Sequence, residues 1–225
     1  MMAPWPCPIA SGGHGEEHAF ALDRGRAVRV LVIPALFDEA NRLRRFAVET
    51  LRALDGRGID SVLIDLPGCN ESPRPLSALA LTDWQAAVAA ASAHFRATHL
   101  LALRGGALAV PPANTLPLMM LAPVNGAAVV RQMLRARVLS SREAGREERS
   151  EALLAQARAT GITLSGHDLS ARMVTGLEAA EAPAGTRAPS QGPGPWLRAE
   201  PGEDRVQSEG LAACVATWVA AERAS

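Results

Sequence analysis

Thr98-His99-Leu100-Leu101-Ala102-Leu103-Arg104-Gly105-Gly106-Ala107-Leu108 decides how the rest of the chain is read. Leu100 to Leu103 are a continuous apolar run that Thr98 and His99 extend to strand length, too continuous for a strand buried on one face only. Two glycines follow, then small residues suited to a close-packed helix. Pro111-Pro112 must stop that helix early, because proline has no N–H to donate and clashes with the preceding turn. The stretch predicts a buried strand that turns sharply into a short helix.

Working outward, residues 27–33 (AVRVLVI) and 61–66 (SVLIDL) are two more strands of the doubly buried kind. Between them Leu43, Phe46, Ala47, Thr50, Leu51 and Leu54 recur at spacings of three and four, which places one apolar stripe on a helix. Asp38 or Glu39 suits the positive end of that helix, and Gly56 or Gly58 its stop. A second helix carries Trp84, Ala87, Val88, Ala91 and Phe95 on one face, with Thr82 or Asp83 as its expected cap. Residues 116–124 form a fourth strand. Strand–helix–strand repeats with short connections require right-handed parallel crossovers, so the fold class is α/β, a doubly wound, mostly parallel sheet.

The flanks are less regular. Residues 1–18 are rich in Pro and Gly and read as a flexible, solvated segment or a weak hairpin, and residues 18–22 as an edge strand. His14 and His18 lie four apart, but without helical periodicity that spacing does not make a metal site. Residues 126–160 form a cap-like insertion, and its 140–158 part reads as a charged, solvent-exposed helix. A short strand at 161–164, a helix opening at His167-Asp168-Leu169-Ser170, a loop over 181–195 and an edge strand at 196–199 follow. Ser208 is expected to cap a final helix with Leu211, Cys214, Val215, Trp218 and Val219 inward. The whole chain, 1–225, is read as one domain.

Composition excludes several function classes. Twenty-three basic residues, all arginine, balance 23 acidic ones in 225 residues, so net charge does not favour nucleic acid as a partner. No apolar run approaches the roughly 20 residues of a membrane span. No basic segment followed by an apolar one opens the chain, and a cytoplasmic location is expected. Cys7, Cys69 and Cys214 are odd in number and far apart, which favours neither a disulfide framework nor a cysteine metal site, and no cofactor is expected.

The chemistry would gather where parallel strands end. Laid on the nucleophile-elbow pattern G-x-S-x-G, Ala102 takes the first glycine, Arg104 the serine and Gly106 the last glycine. The amide of Gly105, with that of Ala35 or Leu36, would form the oxyanion hole. Arg104 is no nucleophile and no base, because a guanidinium stays protonated. No histidine follows residue 167, where the triad base would lie. Cys69, Ser72 and a displaced His167 are the remaining candidates for catalysis, with turn-capping, core or surface roles as their alternatives. A cation at a helix N-terminus is disfavoured by roughly 0.3–1 kcal/mol, so Arg104 calls for an anion. That anion is either an acid of the chain (Asp38, Glu39, Asp65 or Glu71) or a carboxylate or phosphate ligand.

With these residues on the page, the chain resembles the exosortase A system-associated hydrolases, type 2, an α/β-hydrolase-like family of bacterial exopolysaccharide and PEP-CTERM protein-sorting loci. The resemblance rests on residues 34–45 (Glu39, Asn41, Arg44, Arg45), on Asp65-Leu-Pro-Gly-Cys69 with Ser72, and on Ala102-Leu-Arg-Gly-Gly-Ala-Leu108. Pro123-Val and Arg131-Gln-Met-Leu-Arg135 also match, as does Gly166-His-Asp-Leu-Ser170. It implies an α/β-hydrolase-like fold with a reduced cap, and an elbow arginine that is a feature of the group. Its departures are Ala102 for glycine, Asn70 where a second glycine is usual, and the proline-broken helix. The function it implies is that of a hydrolase-family protein, esterase- or thioesterase-like, of exosortase or exopolysaccharide pathways, while the residues themselves supply no Ser-His-Asp triad. The alternative is a non-catalytic module holding a small acyl or anionic group with Arg104, Gly105, Ala35, Leu36 and Glu39.

Overall fold

The computed structural model describes residues 1–9, 12–189, 192–198 and 202–223. Nine strands and six α-helices alternate along them. In chain order these are β1 Met2–Pro8, β2 His14–Leu22, β3 Arg29–Ile33, α1 Asp38–Asp55, β4 Asp60–Ile64, α2 Leu81–His94, β5 His99–Leu103 and β6 Leu118–Leu121. They continue with α3 Gly126–Glu143, α4 Ser150–Thr160, β7 Ile162–Leu164, β8 His167–Leu169, α5 Ala171–Ala179, β9 Thr186–Ala188 and α6 Arg205–Glu222.

Seven strands form one sheet in the order β1-β2-β4-β3-β5-β6-β9, and β7 pairs with β8 alone. β3, β4, β5, β6 and β9 are parallel, while β1 and β2 join antiparallel at one edge. The expectation of a doubly wound, mostly parallel sheet holds, and the alternation of side chains explains it. In β5, Leu100 and Ala102 point into one buried layer while Leu101 and Leu103 point into the other. The first layer is closed by α2, α3, α4 and α5, and the second by α1 and α6.

The N-terminus departs from the flexible segment expected over residues 1–18. β1 and β2 pair from Met2↔Phe20 to Pro8↔His14, burying Trp5, Cys7 and Ala19. That buried row outweighs the proline content, because Pro4, Pro6 and Pro8 share one parity along the strand. Their missing N–H groups face the free edge, which leaves the ladder intact and offers that edge no donors there. His14, the first residue of β2, and His18, its middle one, stand about 13 Å apart at strand rise.

Several boundaries are corrected. Residues 140–158 are not one exposed helix: α3 runs to Glu143, the chain turns through Gly145, and α4 buries Leu153 and Ala157. His167 lies in β8 rather than in a helix start, and Ser170 caps α5 by accepting the Met173 N–H at 2.9 Å. The last parallel strand is β9, inside the expected loop at 181–195, and it is too short and polar to show an apolar run. Trp196 sits in a 3-10 turn, Pro195–Leu197, instead of an edge strand, and Ala199 lies outside the described residues. α2 takes Ala80 as its N-cap with Asp83 accepting the Ala80 N–H at 2.7 Å, and α6 is capped by Asp204 while Ser208 is buried inside it.

β2 also buries an acid. Glu17 is fully buried; its Oε1 accepts from Ser72 Oγ at 3.0 Å and faces Arg74 Nε at 3.1 Å, while Oε2 has no partner among the described residues. Burial pushes its carboxyl above the ordinary 4.5, and the Ser72 hydrogen bond and Arg74 only partly offset this. The folded state therefore binds this proton more tightly than the unfolded chain does. The stability it contributes is complete below the unfolded value and is lost as pH rises through the raised one. Urea midpoints of the wild type should fall relative to those of Glu17→Gln as pH increases above 4.5. Parallel profiles for the two proteins would refute this account.

Candidate functional site

The site lies at the carboxyl ends of β3 and β5. β5 runs straight into a 3-10 helix, Arg104–Ala109, and Arg104 adopts φ 53°, a left-handed conformation that non-glycine residues avoid. The turn can be that sharp because Gly106 passes against β3. A Cβ there would stand 2.2 Å from the Pro34 carbonyl oxygen and 2.9 Å from that of Ile33. The first-glycine position is filled by Ala102, whose methyl is fully buried in the α2/α3 layer. Asn70, where the resemblance leads one to expect glycine, takes φ 50°, the left-handed region asparagine tolerates best after glycine.

Arg104 closes on the protein. Its Nε and Nη2 each donate to a Glu39 carboxylate oxygen at 3.1 Å, and Nη1 donates to the Ala122 carbonyl at 2.8 Å. The Trp196 ring lies 4.5 Å below the guanidinium carbon. Both partners of the ion pair are 13% exposed. Of the acids open to Arg104 on sequence, Glu39 is therefore the one that meets it. Asp65, buried, is engaged instead by Arg44 Nη1 at 2.5 Å and Asn70 Nδ2 at 2.6 Å. Arg104, Phe37 (φ 55°) and Ala122 (φ 43°) are all left-handed, so backbone strain is concentrated around this ion pair.

Beside the pair lies a cavity of about 110 Å³. Leu36, Phe37, Asp38, Glu39 and Arg42 line it from the start of α1, and Gly105 from the elbow. Val124 and the α3 residues Ala128, Val129, Gln132, Met133 and Ala136 make an apolar wall, and Ser165 of the β7–β8 turn completes it. Three of the sequence-predicted residues, Leu36, Glu39 and Gly105, thus meet here. Ala35 packs in the other layer against α1, and the Arg104 side chain lies outside the cavity lining. Phe37 caps α1 without a side-chain acceptor, which leaves first-turn amides directed at this end of the sheet.

The catalytic candidates are dispersed. Cys69 sits in the turn after β4, and burial, with Asp65 and Glu17 nearby, pushes its thiol up to about 12. That opposes the thiolate a nucleophile needs. Ser72 is held by the Gly68 N–H, which it accepts at 2.8 Å, and by Glu17. His167 stands 3.4 Å from Asp38 Oδ1 and edge-on to Phe37, two residues that line the cavity. Sequence reasoning missed Arg42 and the α3 wall. The charged first turn of α1 hid the former among many arginines, and the latter reads only as helix core.

No protein-family model matches the chain, and no curated protein matches it. Solved structures do. Est1E from Butyrivibrio proteoclasticus, determined with ferulic acid bound, superposes with a TM-score of 0.51 at 16% identity over 74% of this chain and 68% of that one. The α/β hydrolase GrgF from Penicillium sp. sh18 aligns at 15% identity over 80% and 73%, TM-score 0.48. The mouse alpha/beta hydrolase domain-containing protein 10 aligns at 15% identity, with 63% of this chain and a TM-score of 0.46. The chain spans 57% of the mouse protein's length and 60% of that of an Agrobacterium vitis S4 protein. At these identities the likeness concerns the fold, and the fold is α/β-hydrolase-like.

Proposed function

We propose that this chain is a hydrolase-fold protein of exosortase and exopolysaccharide systems that works in the cytoplasm without a Ser-His-Asp triad, as a module binding a small acyl group. The observation that carries the reading is the closure of Arg104 on Glu39 and the Ala122 carbonyl at the nucleophile position. A guanidinium committed to those partners neither attacks a carbonyl nor relays a proton. The cavity over Leu36 and Gly105, walled by α3, supplies the acyl site. In this reading α3 and α4 act as a reduced cap over it. The exosortase association rests on the motif resemblance alone.

The test is chemical. A fluorophosphonate probe should not label the folded protein above a heat-denatured control, and short acyl esters and thioesters should not turn over. In serine proteases, loss of the nucleophile or base alone lowers turnover on the order of a millionfold. Stoichiometric labelling, competed by an ester, would overturn the reading and restore an enzyme.

A further inference from the structure

The cavity holds a cation that the ion pair does not use. Arg42 lines it from the second turn of α1 and, among the described residues, makes no ion pair. Its Nη1 reaches only the Trp196 carbonyl, at a long 3.4 Å. Arg104 is neutralised by Glu39; Asp38, on the same wall, is faced at 3.4 Å by His167 Nε2, an imidazole that is a cation only when protonated, and Asp38 makes no ion pair with Arg42. The opposite wall (Ala128, Val129, Met133, Ala136) offers an incoming group only apolar surface, apart from Gln132. One end of the cavity thus presents a guanidinium with no ion-pair partner among the described residues, and one side has a surface for a short hydrocarbon chain.

We propose that the cavity binds a short-chain carboxylate, with its carboxylate held by Arg42 and its chain laid along α3. The proposal rests on the acyl-site reading above and names its ligand class. A neutral ester or alcohol would fill the same apolar wall but leave the guanidinium without a counter-ion; a carboxylate supplies both, through charge-assisted hydrogen bonds. Volume sets the length. An engineered cavity of about 150 Å³ holds benzene, so about 110 Å³ suits a short hydrocarbon chain rather than a long fatty acid.

Calorimetric or NMR titration of the full chain with hexanoate and with 1-hexanol tests this. Hexanoate should bind about tenfold more tightly than hexanol, the equivalent of one charge-assisted contact. Arg42→Gln should remove that advantage while leaving hexanol binding unchanged, which also shows that the variant is folded. Met133→Trp, which fills the wall, should abolish both. Equal affinity for the acid and the alcohol, or an unaltered preference in Arg42→Gln, overturns the carboxylate assignment and leaves the acyl site standing. Absence of binding by either ligand to the wild type overturns both readings.

Discussion

Replacing Arg104 by alanine should destabilise the protein by about 3 kcal/mol, the low end of the 3–5 kcal/mol seen when a buried pair loses one partner. The figure sits at that end because Arg104 and Glu39 keep 13% of their surface in contact with solvent. Most of the loss comes from Glu39, left charged and unpaired against the cavity, and the Ala122 carbonyl loses its donor too. Arg104→Met combined with Glu39→Leu should recover most of the stability, since apolar replacement of a buried pair is often neutral. Urea midpoints of Arg104→Met, Glu39→Leu and the double give the coupling directly. Additive losses would mean the pair is not what holds the elbow to α1. Arg104→Ser restores the serine of the elbow pattern, with Ala102 still at the first glycine position, yet it should show the same instability and no gain of esterase activity. The displaced base candidate, His167, faces Asp38 Oδ1 at 3.4 Å, and no hydrogen bond joins it to Arg104 among the described residues.

The sheet was legible because its strands are buried on both faces. β3, β4, β5 and β6 are short apolar runs, and no other element of a chain this size reads that way. α1 was legible because its stripe, Leu43 to Leu54, packs as its spacing demands. β9 was not. Its three residues, Thr186-Arg187-Ala188, become a strand only because β6 offers a parallel edge, a tertiary cause absent from the local sequence. β1 was obscured by its prolines, whose common parity matters only once the edge position is known.

The site was legible in part for the same reason. An arginine at the elbow demands an acid, and Glu39 was among four that might answer it; the choice follows from α1 starting right after β3, which brings its first turn over the elbow. The role of Arg42 depends on which faces of α1 and α3 enclose a common space. Periodicity along one helix does not contain that information.

Gly106→Ala should be more damaging than any other single methyl addition at the elbow. Its Cβ would lie 2.2 Å from the Pro34 carbonyl oxygen, a backbone atom anchored by β3, so the two strands must separate for it to fit. Overpacking usually costs about 1–3 kcal/mol where side chains yield; here the neighbour is main chain, and the expected loss exceeds that range. Gly105→Ala is the control, because its Cβ meets Leu36 Cγ at 3.1 Å, a side chain able to move toward the adjoining cavity. The prediction is a large drop in urea midpoint or loss of soluble protein for Gly106→Ala, and a small drop for Gly105→Ala. Equal midpoints would mean the elbow backbone relaxes freely, and the left-handed Arg104 would then be a local accident. Unequal ones would show that the turn is held from beneath by the Ile33 and Pro34 carbonyls. The turn, with Arg104 at the position of the elbow serine, would then owe its shape to that close backbone contact.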